Sequence, residues 1–190
     1  TIYDAEDLPE PQQIKKAVTT FRAAPDDVIC LQARLNYYNW HESNLSKLFA
    51  IEYAALFDVI LPALQTLNIP IPLGGTSNHI HLKRLREIGE WDPYNLTQDA
   101  DLGMRLCMLG YRTQILDSIT LEEAPISLGA WLKQRSRWIK GYMQTWLVYM
   151  RHPITLYQTM SRRGFWGFQF FIGGPSIVFF ASPILWALTI

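Results

Sequence analysis

Trp131-Leu132-Lys133-Gln134-Arg135-Ser136-Arg137-Trp138 is the stretch around which the rest of the chain organises itself. It contains Gln-x-x-Arg-Trp in an aromatic, basic run with helical spacing. On a helix, Gln134, Arg137 and Trp138 stand at i, i+3 and i+4 and share one face. That face presents an amide, a permanent cation and a flat π surface. Two readings fit it. Arg137 can pair bidentately with a diphosphate while Trp138 stacks on a ring. Equally, Trp and Arg are the residues of a helix lying at a membrane interface. Trp131 and Tyr142 fall near the same side and widen the aromatic surface under either reading.

Outward toward the C-terminus, residues 126–150 are helical, aromatic and basic. Phe165 to Ile190 then holds no charged residue. About 26 residues at 1.5 Å each span roughly 39 Å, enough to cross a hydrocarbon layer of about 30 Å. Gly173-Gly174-Pro175 would kink or open that helix, which membrane helices tolerate. Arg151, Arg162 and Arg163 precede it, and the positive-inside tendency then places the preceding part in the cytoplasm. The competing reading is a buried helical hairpin.

Toward the N-terminus, strand and helix alternate. Ile14 to Phe21 has helical spacing and Pro25-Asp26-Asp27 is a turn. Val28 to Leu35 reads as a buried strand, followed by a polar, aromatic loop over Asn36 to Asn44. Asn44 is the expected cap of a helix from Leu45 to about Leu67, apolar nearly all round, with Pro62 expected to kink or shorten it. That helix is either deeply buried or lies on a membrane surface. A punctuated loop over Pro70 to His79 precedes a helix at Leu82 to Ile88 and a turn at Gly89 to Pro93. Thr97 opens a helix that stops at Gly110, and Tyr111 to Ile115 is the next strand. This is the pattern of an α/β layer.

Hydrophobic residues make up 49% of the chain and the formal net charge is zero. These values argue against a disordered tail or a generic nucleic-acid binder. Cys30 and Cys107 lie in apolar surroundings without metal-like spacing and read as free thiols. The N-terminus lacks the basic start and apolar core of a signal peptide. Thr1-Ile2-Tyr3 reads as the end of a strand, and the C-terminus falls inside an apolar run. The expectation is therefore a piece of a longer protein.

Three further groupings carry candidate chemistry. Asp4, Glu6 and Asp7 are carboxylates at a strand end, where they can hold a hard divalent cation or form a solvated acidic turn. Thr97-x-Asp99-x-Asp101 is either a capped helix start complementing the helix dipole or the seat of a general base. Gly74-Gly75-Thr76-Ser77-Asn78 offers close backbone approach with hydroxyl and amide groups, suited to a sugar hydroxyl array but also common in polar turns. His79 and His81 lack an evident third metal ligand.

Taken in order, Asp4-Ala5-Glu6-Asp7, Gly75-Thr76-Ser77-Asn78, Thr97-Gln98-Asp99 and Gln134-x-x-Arg137-Trp138 resemble the motif set of the processive, membrane-bound inverting β-glycosyltransferases. These are the cellulose, chitin, hyaluronan and poly-N-acetylglucosamine synthases of glycosyltransferase family 2. The resemblance covers nearly the whole chain. It implies an α/β fold: a partial nucleotide-sugar glycosyltransferase (GT-A-like) domain, then amphipathic interfacial helices and a transmembrane helix. The expected boundaries are 1–125 for the second half of the catalytic domain, 126–163 for the interfacial helices and 164–190 for the transmembrane helix.

The resemblance also assigns roles. Asp4, with Glu6 or Asp7, would bind Mg²⁺ or Mn²⁺ on the donor diphosphate. Asp99 would deprotonate the acceptor hydroxyl. Gln134 and Arg137 would hold the donor and its leaving diphosphate. Trp138 would stack on the acceptor sugar, and Gly75, Thr76, Ser77 and Asn78 would line the acceptor side. Glu6 stands where the family's second metal Asp is usual, and Gln98 replaces the usual Glu. The nucleotide-binding first half is absent, so this piece alone is expected to be inactive.

The implied reaction transfers a sugar from a nucleotide sugar, expected to be UDP-linked, to a hydroxyl of a growing β-linked glycan with inversion. The implied partners are the nucleotide sugar, a glycan acceptor, the lipid bilayer and membrane or export subunits, with no nucleic acid. The implied location is the inner cell membrane, multi-pass in the full-length protein, with the catalytic domain cytoplasmic. Two alternatives remain at this point: a non-processive membrane glycosyltransferase acting on a lipid or short acceptor, and a non-catalytic membrane-anchored subunit of glycan assembly.

Overall fold

Val28–Tyr37 forms the central strand, β2, of the computed structural model, which describes residues 1–189. Its side chains are buried in sequence rather than alternately, because both faces are covered. β2 lies between β3 (Asn78–Ile80), antiparallel, and β4 (Arg112–Glu122), parallel; β1 (Leu8–Pro9) pairs antiparallel on the far side of β4. The sheet order is thus β1-β4-β2-β3.

β4 runs seven residues beyond the Tyr111 to Ile115 read from sequence. Its continuation alternates Leu116, Ser118 and Thr120 inward with Asp117 and Ile119 outward, so two of the buried positions are polar. Those hydroxyls are satisfied internally. Gln13 donates to Ser118 Oγ (3.1 Å) and Thr120 Oγ1 (3.0 Å), docking α1 (Gln13–Ala23) on the sheet.

α2 (Asn44–Ala54), a π-helical segment at Ala55–Ile60 and α3 (Leu61–Thr66) follow one another as a continuous helix. Its cap is Ser43, not Asn44: Ser43 Oγ accepts from the Ser46 N–H while Ser46 Oγ accepts from the Ser43 N–H. The buried face is Phe49, Tyr53, Phe57 and Leu61, spaced by four. Such spacing drifts around a helix of 3.6 residues per turn, and the wider π turn brings Leu61 back under the sheet. The π turn also lies just before Pro62, where Leu61 N–H reaches back five residues to Leu56. The proline therefore widens the helix instead of breaking it.

α4 (Leu82–Glu87) and α5 (Gln98–Met108) follow β3, and Gly110, at φ 80°, ends α5 as expected. α6 (Leu128–Tyr149) carries the Gln134-x-x-Arg137-Trp138 stretch and leads through α7 (Pro153–Thr159) to a last long helix. That helix comprises α8 (Arg162–Phe168), a π segment (Gln169–Gly173) and α9 (Gly174–Thr189). The irregularity expected at Gly173-Gly174-Pro175 is this π segment. Gly173 lets Trp146 of α6 approach so closely that a Cβ there would lie 2.6 Å from its Nε1.

Among the described residues, Asn44–Thr66 and Arg162–Leu188 are long and apolar enough to cross a membrane. The first has its aromatic face in the core, while the second leaves Val178, Phe179, Ile184, Leu185 and Leu188 more than half exposed.

Candidate active site

The carboxyl ends of parallel strands β2 and β4 lie on the same side of the sheet, where open α/β sheets place their ligands. The expected site residues reach this edge from four directions. Ile2 bridges to Asn78, which brings the acidic segment alongside the Gly74–Asn78 loop. Asp4 N–H donates to Thr76 Oγ1 (3.2 Å) and to Asp7 Oδ2 (2.8 Å), and the Thr76 hydroxyl donates to the same Asp7 oxygen.

The loop is built from beneath by a buried amide. Gln32 on β2 accepts from Gly74 N–H (2.8 Å) and donates to the Thr76 carbonyl (3.0 Å). Ser77 donates to Thr120 Oγ1 (2.6 Å), and Asn78 donates to the Gly74 carbonyl (2.7 Å). The Thr76, Ser77 and Asn78 side chains are therefore buried and engaged internally. The hydroxyl and amide array expected to line an acceptor is the framework of the loop, and Gly75 is its exposed member. Ser77 sits at φ 56°, a left-handed conformation held by these bonds.

Asp99 stands in the first turn of α5, half-buried. The Trp91 indole N–H donates to its Oδ1 (3.1 Å), and its Oδ2 would lie 3.6 Å from a Cβ placed on Gly75. Burial raises the Asp99 carboxyl to about 6, with the Asp4 charge adding and the Trp91 hydrogen bond opposing. Thr97 was expected to cap α5, but its side chain makes no cap bond. Instead it packs against Gly141 of α6, where a Cβ would lie 2.3 Å from its methyl. Beside it, Asn95 donates to Thr145 Oγ1 (2.9 Å).

α6 brings the remaining groups. Burial raises Asp4, Asp7 and Glu6 raise it further, and Arg137 opposes them, so the guanidinium lies within electrostatic reach of the acidic segment. An open groove of about 940 Å³ is lined by Lys133, Gln134, Arg137 and Lys140 on the α6 side and includes Glu6. Gln134 Oε1 is buried without a hydrogen-bond partner. Trp138 lies over Tyr53 (centroids 6.5 Å apart, 27° between planes) and beside Phe49. Arg135 lies 5.0 Å from the Trp138 ring and 4.5 Å from Phe49, and pairs with Glu52 of α2. Gln134 and Arg137 thus line the groove, whereas Arg135 and Trp138 fasten α6 to α2. A smaller cavity of about 240 Å³ near Val28, Gln65, Cys107 and Arg112 contains none of the expected site residues.

Glu122 escaped the sequence reading. It ends β4, half-buried, and burial raises its carboxyl to about 8, with Asp7, Asp4 and Glu6 adding to the effect. Recognising it required knowing where β4 ends. Trp91 was read only as part of a turn.

Among the described residues, no three of His, Cys, Asp and Glu are gathered as a metal cage. His79 is buried, with Nδ1 2.9 Å from Thr1 Oγ1, and burial lowers it to about 4; His81 is exposed. A cation of the Mg²⁺ type uses only one or two carboxylates, completing its shell with phosphate oxygens and water. Asp7 Oδ1, buried without a hydrogen-bond partner and close to Asp4, fits that smaller requirement.

Comparison with known proteins decides the family. Residues 1–190 match glycosyl transferase family group 2. The chain belongs to this family. Over 141 residues, covering 74% of the chain, it is also 25% identical to the probable glucomannan 4-beta-mannosyltransferase 10 of Arabidopsis thaliana. The chain spans about a quarter (25%) of that protein's length. The family match runs through Asp4, Gly75, Asp99 and Arg137 alike, so the groove and its acidic rim lie wholly within glycosyltransferase sequence.

Proposed function

We propose that this chain forms the acceptor-side half of a membrane-associated, inverting glycosyltransferase. It transfers a sugar from a nucleotide sugar, UDP-linked in our reading, to a hydroxyl of a growing β-linked glycan. The observation carrying this reading is the position of Asp99: half-buried, with Oδ2 toward Gly75, within the field of Asp4 and with Oδ1 held by Trp91. A carboxyl raised to about 6 is charged at neutral pH and still basic enough to accept a proton.

In this reading the acceptor hydroxyl gives its proton to Asp99 as its oxygen bonds to the sugar's anomeric carbon. The bond from that carbon to the diphosphate breaks on the opposite face, and the electron pair leaves with the diphosphate. Arg137 and Gln134, lining the groove, hold the departing anion. Asp4 and Asp7, with Glu6 at the rim, would hold Mg²⁺ or Mn²⁺. Such a cation, when bound, neutralises charge on the diphosphate. Trp138 supports the acceptor side from its seat on α2, and its stacking on sugar remains part of this proposal. The exposed apolar surface of α9 supports residence in the inner membrane, and Arg151, Arg162 and Arg163 before it support a cytoplasmic catalytic part.

The test is Asp99→Asn in the full-length protein, assayed in membranes with a panel of UDP- and GDP-linked sugars. Transfer is expected to fall about 10²–10⁴-fold with nucleotide-sugar binding retained. Near-normal turnover would remove Asp99 from the mechanism. Product length from the unaltered protein separates polymer synthesis from addition of a single sugar.

A further inference from the structure

The loop before α5 contains a group that none of the roles above uses. The Trp91 indole has one polar atom, an N–H that can only donate, and it donates to Asp99 Oδ1 at 3.1 Å. The ring is half-buried against the cluster of Ile29, Leu73, Leu85, Leu102 and Leu106, so its plane is set by the core.

The turn that delivers it is equally fixed. Gly89 and Glu90 adopt φ values of 85° and 56°, reversing the chain after α4. Arg105, one turn past Asp101 on α5, braces that turn through the carbonyls of Ile88 (3.1 Å) and Glu90, while its Nε donates to Asp101 (2.8 Å). Trp91 and Asp99 therefore belong to one braced unit.

We infer that Trp91 is the positioning residue of the base: its N–H fixes the rotation of the Asp99 carboxylate by holding Oδ1, which leaves Oδ2 toward Gly75 to receive the proton. This rests on the reading of Asp99 as the base. A free carboxylate rotates and offers either oxygen, whereas one held at Oδ1 presents the other in a single orientation. The same bond favours the charged form and so counteracts burial. The other groups bearing on Asp99 are its own backbone N–H, which also favours the charged form, Asp4 from the N-terminal segment and Cys30 from β2. The Cys30 thiol is pushed up to about 12 by burial and stays neutral.

The experiment compares Trp91→Phe, and 3-benzothienylalanine at position 91, with the unaltered full-length protein in membranes. The second variant keeps the bicyclic shape and lacks the N–H. The readouts are kcat against pH, donor KM and thermal denaturation. Loss of the bond raises the pKa of a base that works only when charged, so the acid limb of kcat moves up by about one pH unit. That shift lowers kcat roughly eightfold at pH 5.5 and about twofold at pH 7, with recovery at higher pH and donor KM unchanged. A purely structural loss would scale kcat equally at every pH. An unmoved limb in the benzothienyl variant overturns the inference even if Trp91→Phe fails to fold. Asp99→Asn distinguishes the two levels: if it stays active, the base reading itself fails, whereas an inactive Asp99→Asn with an unmoved limb at position 91 overturns only the role of Trp91.

Discussion

At the scale of single residues, Asp99 and Glu122 are carboxyls raised for the same first reason, burial, with opposite consequences. Asp99, at about 6, is a carboxyl that is still mostly charged at neutral pH. Its activity is expected to hold above pH 7 and to fall tenfold per unit well below pH 6, which a kcat–pH profile reads directly. Glu122, at about 8, is mostly protonated at neutral pH. Its folded pKa exceeds its unfolded one, so the folded state binds the extra proton. Stability is then lost as pH rises from about 4.5 toward 8. Glu122→Gln is expected to stabilise the protein by on the order of 1–3 kcal/mol at pH 8 and by little at pH 4.5. Thermal denaturation in detergent at both pH values checks this, and an equal effect at both would contradict the assigned cause. Asp99 was legible in sequence because it sits in a spaced motif. Glu122 was not, because Ser118 and Thr120 disguise the strand that carries it.

At the scale of elements, α6 is the member on which the others are set. Arg135 and Trp138 fix its first half to α2, Gly141 admits Thr97 from the α5 start, and Gly173 admits Trp146 from its last turns. Sequence reading found this helix and the groove-lining pair Gln134 and Arg137. The resemblance gave Trp138 an acceptor-stacking role, but that its ring rests on Tyr53 and Phe49 of α2 was not legible, because amphipathic spacing does not say which neighbour a face will meet. Gly141→Ala places a methyl into Thr97, an overpacking cost of about 1–3 kcal/mol unless the helices separate. The expected result is a kcat loss of tenfold or more with a smaller change in donor KM. Adding Thr97→Ala should recover part of it, because it removes the nearest clashing atoms. Failure of the double variant to improve on Gly141→Ala would argue that this contact does not set the position of α5.

At the scale of the whole molecule, a four-stranded sheet carries the acidic segment and loop on one edge, and the last helix stands against α6 with an apolar outer surface. The strand–helix alternation was readable because β2 opens on the apolar run Val28-Ile29-Cys30-Leu31 between turn signals. The last helix, free of charge from Phe165 on, reads in sequence as transmembrane, and the helix around Leu45 to Leu67, carrying Lys47, Glu52 and Asp58, as buried or lying on a membrane surface. Only packing shows that one side of Asn44–Thr66 is occupied by the core and that α9 is mostly open. Full-length protein is expected to remain in the pellet after alkaline carbonate washing of membranes, and its release would count against a spanning role for the last helix. Chelation by EDTA is expected to abolish transfer, with Mg²⁺ or Mn²⁺ restoring it. Activity indifferent to both would leave Asp4 and Asp7 without the proposed ligand role.

The two close approaches at Gly141 and Gly173 also turn α6 into a lever. One arm bears on the loop between α4 and α5, just before Asp99, and the other bears on the last helix. If that helix spans the bilayer, its tilt follows the thickness of the hydrocarbon layer. Acyl-chain length then becomes a control on turnover, acting on the distance between base and acceptor without touching a single residue of the groove.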